Sequence, residues 1–186
     1  MEHPNPIRMM VYTALFIALI IVGAYIAVPI GPVPIVLQNM FVLLAAIILG
    51  PRWGLGCVAV YLLLGIMGLP VFAGGMSGIG RIFGPTGGYL IGYLPAVFVC
   101  AVMSKGLKHS LWGNLLALLT GSLLVYAIGV PWLKIAYAMS WAKALAAGML
   151  PFLIGDTLKM IAAAFIAKSL TPVLHFQERP YAQSDH

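Results

Sequence analysis

Acidic side chains are scarce in this chain of 186 residues, which has four Asp and Glu residues against ten Lys and Arg. Charged residues make up 8% of the sequence and hydrophobic residues 62%. Soluble domains average about 25% charged residues, so a chain with a mean hydropathy of +1.06 belongs in a membrane. Each membrane-spanning helix needs about 20 apolar residues, so the length allows about six spans and no separate soluble domain.

The motifs of enzymes and metalloproteins are also missing. The two cysteines, Cys57 and Cys100, lie in apolar runs and indicate neither a disulfide framework nor a metal site. The four histidines are dispersed, and the sequence has no P-loop and no pairing of a nucleophile with a base. We therefore expect a protein that is not an enzyme, with no catalytic residues, no metal and no cofactor.

The net charge of +6 does not indicate a nucleic-acid-binding protein, because the basic residues are scattered and mostly lie at the ends of apolar runs. This pattern fits the positive-inside bias of membrane proteins better than a phosphate-binding patch. One set of ends carries six cations and the other three, which predicts that both termini are cytoplasmic. The six are Arg8, Arg52, Lys105, Lys108, Lys168 and Arg179, and the three are Arg81, Lys134 and Lys143.

Six apolar runs predict an all-α, polytopic membrane protein in which residues 1–186 form one integral membrane domain. A backbone in lipid must satisfy its own hydrogen bonds, and the alternating pattern of a β-barrel is absent from the sequence. No internal repeat is evident, which disfavours a transporter built from inverted repeats. The predicted spans lie near residues 9–28, 35–50, 54–69, 87–104, 111–129 and 151–170.

Three connections between these spans differ from ordinary loops. Residues 29–35 contain three prolines, which favour a stiff extended path. Residues 73–89 are rich in glycine, which lets a backbone approach a ligand closely. Residues 130–150 are too long for a turn, and their aromatic side chains suit either a lid or anchors at the membrane interface. The aromatic residues considered are Trp132, Tyr137 and Trp141.

One carboxylate stands out, because Asp156 is the only acidic residue between Glu2 and Glu178 and lies inside an apolar run. Lys159 follows three residues later and would share its helix face. A charge at the centre of a membrane helix costs about 2.5–3.5 kcal/mol on insertion scales, so both residues are candidates for substrate binding. The alternative is an intrahelical ion pair that only helps the helix to insert.

Other polar groups extend the candidate substrate site. Arg81 is the only charged residue in the glycine-rich connection, where a guanidinium could bind an anionic substrate or simply extend to the interface. Gln38 opens the second span beside Asn39, and an amide there suits either a polar heterocycle or a helix contact. The remaining candidates come from the glycine-rich connection and are Gly74, Gly75 and Tyr89.

Ala14 and Ala18 form a small-x-x-x-small pair in the first span. Small side chains one helical turn apart allow another helix to approach closely. The pair is therefore a candidate partner interface, and packing inside the protein would explain it equally well.

Five ordered blocks make the sequence similar to the BioY family, the biotin-binding S components of energy-coupling factor (ECF) transporters. The resemblance covers nearly the whole chain. The blocks are Pro32-Val-Pro-Ile-Val-Leu-Gln-Asn, Leu49-Gly-Pro-Arg-Trp-Gly, Gly68-Leu-Pro-Val-Phe-Ala-Gly-Gly, Gly84-Pro-Thr-Gly-Gly-Tyr-Leu-Ile-Gly-Tyr and Pro151-Phe-Leu-Ile-Gly-Asp-Thr-Leu-Lys.

The resemblance implies a six-helix S-component fold in a prokaryotic plasma membrane, with a biotin pocket on its outer side. It also implies partners, namely a membrane scaffold subunit and two ATPase subunits. By this resemblance Asp156 and Lys159 match the family's acid and lysine on the last helix, and Arg81 lies in a loop that contacts the ligand. Ala14 and Ala18 match a motif that docks on the scaffold.

Other functions stay open on the sequence alone. The chain could transport biotin without ATPase partners, serve as an S component for another small vitamin, or be a structural membrane subunit that binds no ligand.

Overall fold

The computed structural model describes residues 6–29 and 31–176, with side chains to residue 171. Within these ranges the chain is mainly helical. Its α-helices are α1 (Pro6–Tyr25), α2 (Gln38–Ile66), α3 (Gly80–Phe83), α4 (Gly87–Gly106), α5 (Leu111–Ala136), α6 (Trp141–Gly148) and α7 (Leu153–Phe176). The short remaining elements are strands β1 (Ala27–Val28) and β2 (Ile35–Val36), and single 3₁₀ turns at Ala73–Gly75 and Leu150–Phe152.

The membrane class predicted from composition is confirmed. Over the described ranges, five helical stretches are long and apolar enough to cross a membrane. They are Pro6–Tyr25, Gln38–Ile66, Gly87–Gly106, Leu111–Ala136 and Trp141–Thr171.

The five helical stretches correspond to six predicted spans, because α2 folds back on itself and contains two of them. Gly50 breaks it with a φ of +76°, a left-handed conformation that favours glycine. A straight helix of 29 residues would be about 43 Å long. Yet Gln38 at its start and Phe72 beyond its end line one cavity. The arms, residues 38–49 and 51–66, correspond to the predicted spans near 35–50 and 54–69.

The proline-rich connection is extended, as its prolines predict. Strands β1 and β2 pair antiparallel, with Ala27 opposite Val36 and Val28 opposite Ile35. This two-residue ladder leaves the predicted helical fold class unchanged. Helix α1 ends at Tyr25, before residue 28 where the first span was predicted to end. Ile30 in this connection lies outside the described residues.

The fifth span is longer than predicted, because α5 continues past Gly129 to Ala136. It passes through Pro131, where an interior proline removes one backbone hydrogen bond. Burial of Val130 and Leu133, 3% and 0% exposed, keeps this turn packed against the bundle. The connection predicted for residues 130–150 is therefore mostly helical, with α6 filling much of the remainder.

The predicted sets of cations separate to the two ends of the bundle. Helix α1 runs toward the cavity and α4 runs away from it, so Arg8 and Lys105 lie at the end far from the cavity. Arg81 and Lys134 lie at the cavity end. Arg179, counted with the larger set, lies outside the described residues.

Glycines on α4 set how closely α5 can approach. A Cβ atom added at Gly88 would lie 2.2 Å from the Cβ of Trp132 and 3.0 Å from the carbonyl oxygen of Ile128. Neither atom is the end of a flexible side chain, so α4 and α5 must separate to admit it. At Gly92 the nearest atom to an added Cβ would be 3.4 Å away, which is ordinary contact.

We expect Gly88→Ala to lower the free energy of unfolding by about 1–3 kcal/mol, because overpacking forces the backbone to shift. Thermal unfolding in detergent measures the effect, and Gly92→Ala on the same helix is the matched control. Equal melting temperatures for the two variants would show that the interface yields without cost.

Candidate ligand-binding site

A cavity opens at the end of the bundle where α2 and α7 begin. Its space, including the open mouth, is about 850 Å³. Apolar side chains such as Val33, Leu43 and Phe152 make up much of the lining. The charged residues of the lining are Arg81, Asp156 and Lys159, and its amides are Gln38 and Asn39.

Asp156 is 5% exposed and accepts hydrogen bonds from three different helices. Its Oδ1 accepts from Nδ2 of Asn39 on α2 and from Nζ of Lys159 on α7, each at 3.0 Å. Its Oδ2 accepts from the hydroxyl of Tyr126 on α5. A buried carboxylate needs such partners to remain charged, and these fix its position at the cavity wall.

Lys159 connects α7 to the small sheet. Its Nζ donates to the carbonyl oxygen of Val36 at 2.7 Å as well as to Asp156. An ammonium has three N–H donors, so one remains to face the cavity. The intrahelical ion pair considered from the sequence is present, and contacts with β2, α2 and α5 extend it.

Gln38 carries an unpaired polar group at the cavity. The residue is 1% exposed, and its Nε2 has no hydrogen-bond partner in the described chain. Burying an amide donor without a partner costs about 1–3 kcal/mol, so such atoms are uncommon in folded proteins. A ligand acceptor placed in the cavity would satisfy it.

Arg81 projects from α3 and also lines the cavity. Among the described residues its guanidinium makes no hydrogen bond. It has no ion pair there either, because Asp156 is the one acidic residue of the described chain and pairs with Lys159. The charged lining therefore consists of two cations and one carboxylate, a net charge of +1. An anionic group would neutralise it.

The ring of Tyr89 lines the cavity, and its hydroxyl stabilises the packing of two helices. That hydroxyl donates to the carbonyl oxygen of Gly148 at 2.8 Å, which ties α4 to the end of α6. Trp132 likewise donates from Nε1 to the carbonyl oxygen of Gly84 at 2.9 Å. Trp132 therefore holds the glycine-rich connection in place, whereas Tyr137 and Trp141 are exposed as interface anchors would be.

Gly74 and Gly75 are placed beside the cavity, and neither belongs to its lining in the described chain. Both have left-handed φ angles, +70° and +73°, so they form a tight backbone turn. Ala73 at the start of this turn is the residue that reaches the cavity. Contact of these two glycines with a ligand stays a prediction.

Sequence reasoning missed Ser122, Tyr126 and Tyr93 in the lining. Ser122 and Tyr126 lie four residues apart on α5, and Tyr93 follows Tyr89 by four residues on α4. Residues at this spacing share a helix face. The repetition of polar side chains at this interval within apolar spans could have indicated these lining residues. It is weak because Tyr is also an ordinary residue of the membrane interface.

Comparisons with known proteins agree on one family. A sequence profile described as the BioY family matches residues 1–176. A Thermotoga maritima protein named Biotin transporter BioY is 42% identical over 163 residues, which cover 88% of this chain and 95% of the relative. A Pyrococcus horikoshii protein named Probable biotin transporter BioY is 43% identical over 157 residues, covering 84% and 92%.

A solved structure has the same fold. It is a crystal structure of the S-component for biotin from an ECF-type ABC transporter, with a TM-score of 0.86 and 33% sequence identity. The match covers 92% of this chain and 95% of that chain.

Proposed function

Because the chain belongs to the BioY family, we propose that it is the biotin-binding S component of an ECF-type transporter. It is a multi-pass membrane protein and not an enzyme. The observation that carries the proposal is the cavity, in which Gln38 and Arg81 have unused donors beside the fixed Asp156–Lys159 pair.

Biotin has the groups that this lining can bind. Its ureido ring offers two N–H donors and one carbonyl acceptor, its bicycle and chain are apolar, and its carboxylate carries one negative charge. The oxygens of Asp156 provide about four acceptor sites, of which three are occupied, so one is available to a ureido N–H. Lys159 and Gln38 supply donors to ligand oxygens.

The carboxylate of biotin would pair with Arg81. Guanidinium binds a carboxylate through two parallel hydrogen bonds. A monoanion also cancels the net charge of +1 on the lining, so no charge is left unpaired in the closed site.

The proposal also covers the partner subunits of the chain and its orientation in the membrane. The solved relative is an S-component from an ECF-type ABC transporter and this chain has no ATP-binding motif of its own, so we infer that uptake depends on a membrane scaffold subunit and two ATPase subunits. Ala14 and Ala18 would contact the scaffold. Residues 1–186 would form one domain in a prokaryotic plasma membrane. Both termini would be cytoplasmic, because the end of the bundle with more cations lies away from the cavity.

Ligand analysis of the purified protein tests this function directly. Mass spectrometry should identify biotin among the molecules that co-purify, and calorimetry with the ligand-free chain should show saturable binding. Recovery of another vitamin would establish the alternative of an S component for that vitamin. A folded chain that binds no small molecule would contradict the proposal.

We expect Gln38→Met to weaken biotin binding about three- to tenfold and to raise the melting temperature of the ligand-free protein. The variant loses a donor to the ligand, worth about 0.5–1.5 kcal/mol, and it also removes the unpaired buried amide. Leu43→Met at another buried lining position is the matched control. Unchanged affinity in Gln38→Met would show that the amide does not contact the ligand.

A further inference from the structure

A second concave surface lies between α5 and α6, apart from the cavity opening. It is a shallow apolar groove with a space of about 560 Å³ including its open side. Its lining includes Leu123, Ala127 and Pro131 from α5, and Trp141, Leu145 and Met149 from α6 and the turn after it. Trp141 and Leu145 are 55% and 40% exposed, so this surface has no covering segment in the described chain.

A cation lies at one end of this groove. The ammonium of Lys134 is 5.2 Å from the ring centroid of Trp141, which itself lines the groove. Asp156 is the only acidic residue in the described chain and its carboxylate pairs with Lys159, so Lys134 has no carboxylate partner there. The end of the groove at Lys134 therefore carries an uncompensated positive charge.

The groove extends away from this charge along a helix that crosses the membrane. From Leu123 to Pro131 it follows α5 for about 12 Å, since these positions are eight steps apart at 1.5 Å per residue. Lys134 follows nearly one turn later, at the cavity end of α5, next to a tryptophan of the kind enriched at membrane interfaces. A charged end at the interface and an apolar length within the membrane match the two parts of a phospholipid.

We propose that this groove binds one acyl chain of an anionic phospholipid whose phosphate lies beside Lys134. A zwitterionic lipid would fill the apolar length equally well and also has a phosphate, but its choline adds a second cation beside Lys134, so the site favours a headgroup with net negative charge. A polybasic surface gains about 1 kcal/mol per basic residue from anionic lipids, which corresponds to about a fivefold preference for one lysine.

The groove shares one wall with the cavity. Tyr126 lines both spaces, and its hydroxyl donates to Asp156. A bound acyl chain would therefore pack against the residue that holds the carboxylate of the site. The proposal itself does not depend on which ligand the cavity takes.

Quenching of Trp141 fluorescence tests the site. The protein in detergent micelles is titrated with phosphatidylglycerol or phosphatidylcholine carrying brominated acyl chains, and the signal of Trp141 is taken as the difference from Trp141→Phe. We expect half-maximal quenching at about fivefold less phosphatidylglycerol than phosphatidylcholine. Size-exclusion chromatography and circular dichroism confirm that each variant is folded.

Three variants separate the headgroup from the chain. Lys134→Met should abolish the preference for phosphatidylglycerol, whereas Lys105→Met at the opposite end of the bundle should retain it. Ala127→Phe fills the groove and should weaken quenching by both lipids. Equal quenching by the two lipids in the original chain, a preference that survives in Lys134→Met, or a dimer that shields Trp141 from both lipids would each overturn the proposal.

Discussion

Asp156→Asn is expected to lower biotin affinity about ten- to a hundredfold, the equivalent of about 1.5–3 kcal/mol for a charge-assisted hydrogen bond. The asparagine amide has nearly the shape of the carboxylate. It lacks the negative charge that strengthens the hydrogen bond from a ureido N–H. It also leaves Lys159 without its counter-ion in a position where the pair's side chains are 11% and 7% exposed. Calorimetry on the folded variant measures the loss.

A second variant distinguishes a binding role from a structural one. Breaking a buried ion pair by removing one charge is destabilising, whereas replacing both charges is often tolerated. We therefore expect Asp156→Asn combined with Lys159→Met to melt at a higher temperature than Asp156→Asn alone and still to bind biotin weakly. Undiminished affinity in either folded variant would show that the pair only supports the fold.

The double substitution Ala14→Trp with Ala18→Trp is expected to leave biotin binding intact and to reduce ATP-dependent uptake to about a tenth. Both alanines are exposed in the structure, while the buried face of α1 consists of other residues. Bulky side chains at these positions therefore do not disturb the bundle, which disfavours the interpretation as internal packing. They would prevent a scaffold helix from approaching closely.

Calorimetry, co-purification with the ATPase subunits and uptake into cells measure the three steps separately. Leu116→Trp with Leu119→Trp, at exposed positions on α5, is the matched control and should affect none of them. Parallel loss of binding and uptake would place the alanines in internal packing after all. Undiminished uptake would remove their docking role, and uptake without ATPase subunits would establish an autonomous transporter.

The membrane class and the helical regions follow from the sequence alone. A segment of about 20 apolar residues has few alternatives to a membrane-spanning helix, because lipid offers no hydrogen bonds to an irregular backbone. The same local argument singled out Asp156 and Lys159, since the cost of a charge in lipid does not depend on its neighbours in the fold. The break at Gly50 was also indicated by its sequence, because glycine followed by proline interrupts a helix.

The tertiary structure decided which faces of these helices are buried and what the polar groups contact. Asn39 and Tyr126 reach Asp156 from 117 and 30 residues away, and no spacing in the sequence predicts such a meeting. In a soluble helix, an apolar stripe shows which face packs inward. A membrane helix is apolar on every side, because lipid is as apolar as the protein interior. The exposure of Ala14 and the course of α5 beyond Gly129 could therefore be learned only from the packed bundle.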